Sequence, residues 1–167
     1  IPDEISPDDI QGCRTEIDRL LSVQQSEFGE NNLNLINDHG VVRSPFLQSD
    51  LIRQICFSDL VLKILDRVFA GQVVFHVNRA VVSDPARKHP AAIWHREPAY
   101  VDFTASRPLA LTFLHLVDES NSENGGLTLL SGSHKWENFP SDEFVRRNSI
   151  IPDMPQGALL VFNSLMF

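Results

Sequence analysis

Ile93-Trp94-His95-Arg96-Glu97-Pro98-Ala99-Tyr100 reads as a short strand carrying a histidine and a carboxylate two residues apart. Side chains at i and i+2 of a strand project from the same face. One imidazole nitrogen and one carboxylate oxygen can therefore meet at a single metal ion. Two histidines and one Asp or Glu, with open positions opposite, make the facial triad of a non-haem iron centre. The pair alone is a weak signal. With six His and 22 acidic residues in the chain, about one His-x-acid pair is expected by chance. Taken by itself, His95 is better read as a hydrogen-bonded core histidine, so the rest of the chain has to supply the context.

Upstream, Ser6-Pro7-Asp8-Asp9 is a helix start: a capping hydroxyl, Pro at the first helical position and acids in the first turn. Ile10, Cys13, Ile17, Leu20 and Leu21 follow at helical spacing, and the helix should fade before Gly29. Residues 29–48 have no clear period and read as loop. Ser49-Asp50 opens a second helical region that runs to Val68-Phe69, with Ser58 as a new cap after a break and Gly71 as a C-cap. The character then changes. Residues 72–83 are β-branched and read as a strand, 84–90 as a loop. Downstream, Leu109 to Val117 is a nearly wholly apolar strand, expected to be buried on both faces. A polar loop ending in Gly126 leads to the short strand Leu127 to Leu130. Ser141 to Arg147 reads as one or two helical turns, and Ala158 to Phe162 as the last strand.

Helices first, then strands joined by long loops, predict a mainly β protein with N-terminal helices rather than an alternating α/β sheet. The expected core is a jelly roll, the double-stranded β-helix. We expect one domain over 1–167, with 1–71 a mainly helical layer and 72–167 the jelly-roll strands. Both ends read as cut. The first residue is Ile1, and an apolar strand stops at Phe167, so C-terminal strands are expected to be missing.

The bulk composition narrows the function. The 167 residues are 43% hydrophobic and 22% charged, an ordinary soluble makeup with length for a real core. A net charge of −8 disfavours nucleic acid and anionic membranes as partners, since both call for a basic face. No apolar run approaches a membrane span. Cys13 and Cys56 lack zinc-like spacing and read as packed thiols in a reducing, cytoplasmic setting.

Three segments, in order, resemble the phytanoyl-CoA dioxygenase family of the Fe(II)/2-oxoglutarate-dependent oxygenases. Trp94-His95-Arg96-Glu97 matches that family's W-H-x-D. Asp118-Glu119-Ser120-Asn121-Ser122-Glu123-Asn124-Gly125-Gly126-Leu127, followed by Leu130-Ser131-Gly132-Ser133-His134-Lys135, is similar to its D-(few)-E-N-G-x-L and P-G-S-H-K block. Gly157 to Phe167 resembles the strand leading to its distal metal histidine. Together they cover 72–167, and the N-terminal helices fit more loosely. The sequence departs from the pattern at Glu97, where the family usually has Asp. The family's distal His would fall just after Phe167, and its 2-oxoglutarate-binding Arg about ten residues later.

The resemblance implies an oxidoreductase, a dioxygenase that uses iron and the co-substrate 2-oxoglutarate with O2 to hydroxylate a small molecule. It implies His95 and Glu97 as catalytic, metal-binding residues. It points to Thr112 and Asn78 as co-substrate contacts, although satisfied structural polar groups fit those positions as well. Trp94 and Tyr100 flank the pair and fit either a substrate wall or core packing. His134 is expected to support a loop, His115 to be a satisfied core histidine, and Arg87, Lys88 and Arg96 to lie on a solvated face near the mouth. Two rivals stand: a non-catalytic jelly roll that binds a ligand or partner, and the halogenating branch of the same fold. The latter carries a small residue in place of the carboxylate, which Glu97 argues against.

Overall fold

The computed structural model describes residues 1–84, 93–97 and 103–167. The chain folds as two compact units, one of Pro7–Ala92 and one of Ile1–Ser6 with Ile93–Phe167.

The first unit is mainly helical. Helix α1 spans Pro7–Phe28, with Asp8 and Asp9 in its first turn, and buries Ile10, Cys13 and Leu20. The acids there complement the helix dipole, as the start signal predicted. Residues 29–48 are more ordered than their missing period suggests. They hold a short helix α2 (Glu30–Leu35), strand β1 (Val41–Arg43) and a 3-10 turn over Pro45–Leu47. Asp38, only 6% exposed, holds Arg43 through Oδ1 at 2.8 Å and Oδ2 at 2.5 Å. Helices α3 (Asp50–Cys56) and α4 (Asp59–Val68) start at Ser49 and Ser58, whose hydroxyls accept from the Ile52 and Val61 amides. Both caps were legible as Ser-Asp steps. The C-cap of α4 is Phe69, two residues before the expected Gly71. Of the strand read over 72–83, β2 (Arg79–Val81) is the part that sits in a ladder among the described residues, antiparallel to β1. Strand propensity describes the residue and not the partner. Val73, Val74, Phe75 and Val77 remain exposed.

The second unit carries β3 (Leu111–His115), β4 (Leu129–Leu130), helix α5 (Asp142–Asn148), β5 (Ser149–Ile150) and β6 (Leu159–Asn163). β3 pairs antiparallel with β6, placing Thr112 opposite Phe162 and Leu114 opposite Leu160. β4 pairs antiparallel with β5. The sheets among the described residues are thus small, two-stranded and antiparallel. Leu116, Met154 and Ala158 form a buried cluster with Leu114 and Leu160 against it. β3 is half-buried along its whole length rather than buried on both faces. The polar loop before β4 closes on itself. The Asn124 amide donates to Glu119 O, and Gly126 N–H donates to Asn121 O. A Cβ on Gly126 would stand 2.5 Å from that same oxygen, so only glycine fits the turn.

His115, expected to be satisfied, keeps its Nδ1 buried with no hydrogen-bond partner among the described residues. Burial lowers its pKa from the ordinary 6.5, and Glu4 opposes this weakly. The folded chain therefore holds a proton here less readily than the unfolded chain. As pH falls below 6.5, the unfolded state gains a proton that the folded state resists, and stability is lost. His115→Gln is expected to flatten the acid side of the stability curve, read by urea denaturation from about pH 7.5 to 5. Parallel curves for variant and wild type would contradict this.

Candidate functional site

Among the described residues, 93–97 join no ladder, in contrast to the expected strand. Glu97 N–H anchors them by donating to Ser164 C=O at 2.8 Å. The side chains still alternate. Arg96 is 3% exposed, while His95 and Glu97 meet on their own side of the segment.

His95 Nε2 lies 3.2 Å from Glu97 Oε1, and His95 Nδ1 lies 2.8 Å from Ile93 O. A backbone carbonyl can only accept, so Nδ1 carries the proton and donates it. That leaves Nε2 with a lone pair facing an ionised carboxylate, itself only an acceptor. A metal cation between them would be held by both. Two donors each about 2.1 Å from one first-row metal, at right angles, stand about 3.0 Å apart. The observed separation fits that. A ligating imidazole typically has its other N–H held by a carbonyl or carboxylate, which fixes the tautomer and the ring. Ile93 does this for His95. The carboxylate of Glu97 is half-exposed, and the ring of His95 is partly covered. The pair therefore fits two protein positions of an iron site. Among the described residues, no group of three or more His, Cys, Asp or Glu side chains could hold a metal ion.

The opposite side of the segment is aromatic. Arg96 Nη2 donates to Trp136 O, and the guanidinium carbon sits 4.3 Å above the Phe167 ring. Phe167 packs edge-on to Phe139 at 4.9 Å, and Phe139 lies 5.9 Å from Trp94. Phe167 N–H donates to Ser133 Oγ and its carbonyl accepts from Leu130 N–H. Arg96 is thus buried, not part of a solvated basic face. Arg87 and Lys88, read into the same cluster, lie outside the described residues, as does Tyr100. Trp94 packs on Phe139 and stays partly exposed.

The family model described as phytanoyl-CoA dioxygenase (PhyH) matches residues 1–167. The chain belongs to this family. The phytanoyl-CoA dioxygenase family lies within the Fe(II)/2-oxoglutarate-dependent oxygenases, dioxygenases whose cofactors are iron and 2-oxoglutarate and which use O2 on small molecules. No curated protein matches the chain. No helix among the described residues is long and apolar enough to cross a membrane.

Within this member of the family, Thr112 Oγ1 and Ser164 Oγ are 2.8 Å apart. Ser164 is 3% exposed, its N–H donates to Ala110 O, and its carbonyl holds Glu97. A hydroxyl pair carries two protons and uses one between its members, leaving one donor for a further acceptor. Asn78 lies in the helical unit with its amide engaged there: Nδ2 donates to Cys56 Sγ at 3.4 Å, and Oδ1 accepts from Phe46 N–H at 3.2 Å. His134 sits in the 3-10 turn Ser133–Lys135. Ser164 was not singled out in the sequence, and Arg96 was read there as a solvated charge. Ser164 had no spacing signal. Arg96 had one, since it shares the inward side of the alternation with Trp94.

Removing the Ser164 hydroxyl leaves that of Thr112 without its partner. Ser164→Ala is expected to cost about 1–3 kcal/mol in urea denaturation. An unchanged midpoint and slope would show that the bond contributes nothing.

Proposed function

We propose that this chain is the catalytic part of an Fe(II)- and 2-oxoglutarate-dependent hydroxylase of a small molecule, with His95 and Glu97 as two of the iron's three protein ligands. The observation that carries this reading is the 3.2 Å approach of His95 Nε2 to Glu97 Oε1, with Nδ1 tied to Ile93 O. The strands are read as part of a double-stranded β-helix, in keeping with the family and with the antiparallel pairing of β3 with β6.

When bound, iron and 2-oxoglutarate supply the oxidation that inserts one oxygen atom of O2 into a C–H bond and converts the co-substrate to succinate and CO2. This chain's residues hold and orient. Ile93 O fixes the His95 ring with its bare nitrogen outward. Ser164 O fixes the backbone of Glu97, so the longer side chain swings from a set point. The spare proton of the Thr112–Ser164 pair is suited to a carboxylate or keto oxygen of the co-substrate. The exposed part of Trp94 is the candidate wall for substrate, and Tyr100 a second.

Glu97 in place of the usual Asp keeps one other reading in view, a binding protein that has lost turnover. The same residue argues against a halogenase, which needs room for halide at that position. The assay is succinate release by the full-length protein. We expect release that requires both Fe(II) and 2-oxoglutarate and falls at least a hundredfold in His95→Ala (about 3 kcal/mol or more in barrier). Metal uptake without any succinate favours the binding protein, and turnover independent of metal contradicts the proposal.

A further inference from the structure

We propose that Arg96 is a positioning residue for the metal pair, holding the backbone between His95 and Glu97 so that both donors point at one ion. The inference rests on the reading of that pair as iron ligands. Arg96 is 3% exposed and is the residue between the two. Among the described residues its guanidinium has no carboxylate partner, and its Nε has no hydrogen bond. Burying such a charge is unfavourable, and an apolar side chain of similar length would fill the space without that penalty.

What a guanidinium adds is geometry. It is flat, donates within its plane and stacks on its face. Arg96 makes two such contacts: Nη2 donates to Trp136 O, and the guanidinium carbon lies 4.3 Å from the Phe167 ring centre. The ring is itself held by main-chain bonds to Ser133 Oγ and Leu130 N–H and by its edge contact with Phe139. Two contacts to separate partners fix the Arg96 side chain and hence its Cα. The Cβ directions at 95 and 97 follow from that Cα, because neighbouring residues point to opposite sides. A lysine can sit over a ring or reach a carbonyl, but its single nitrogen cannot hold both as a plane does.

The test is Co(II) binding to the full-length protein, followed by calorimetry and by the ligand-field absorption of the metal. Arg96→Met is expected to keep its fold by circular dichroism yet bind Co(II) about 10- to 100-fold more weakly, the range for residues that orient metal ligands. Its absorption bands should shift as the donors lose their common aim. Arg96→Lys should fall between this and wild type. Phe167→Leu removes the ring but leaves the Trp136 bond, and should give a smaller loss in the same direction. Folded Arg96→Met with wild-type affinity and spectrum overturns the proposal. If that variant does not fold, an unchanged Phe167→Leu overturns it instead. His95→Ala separates the two ideas. If it binds Co(II) as wild type does, or wild type binds none, the iron reading itself fails and the role of Arg96 falls with it.

Discussion

The hydrogen bond from His95 Nδ1 to Ile93 O determines what the other ring nitrogen can do. With its proton committed to a carbonyl, the imidazole presents a lone pair to Glu97 across 3.2 Å. Two acceptors at that distance repel unless a cation joins them. With metal, the same geometry becomes two adjacent ligand positions. The chemistry proposed for the chain depends on that constraint more than on any property of the sheet.

The scaffold around the pair serves to keep it in place. Glu97 is anchored through Ser164, which also bonds Ala110 O just before β3 and the Thr112 hydroxyl within it. Arg96 ties the other side of the segment to Trp136 and Phe167. The self-closed loop before β4 sets where Leu130 begins, and Leu130 in turn holds Phe167. The segment with the two donors is therefore held by neighbours rather than by a ladder of its own. Side-chain alternation survives because each face has a separate occupation, one apolar and aromatic, one polar.

Much of this was legible in the sequence where the signal is local. The caps at Ser49 and Ser58 and the meeting of residues 95 and 97 depend on spacing alone, and the structure has them. Signals that depend on partners were not legible. Residues 72–78 have strand composition but only Arg79–Val81 find a pairing strand. Arg96 looks like a solvated charge until the ring of Phe167, 71 residues on, appears beneath it. His115 looks like a satisfied core histidine, yet one of its nitrogens has no partner among the described residues. In each case the deciding atom lies far along the chain, where periodicity carries no information.

The most direct test of the central claim is the position of a bound metal. Anomalous diffraction from the full-length protein with Mn(II) would locate it. The ion is expected within about 2.2 Å of both His95 Nε2 and Glu97 Oε1, with His95 Nδ1 still on the Ile93 carbonyl. An ion bound elsewhere, or at His95 with Glu97 turned to solvent, would contradict it.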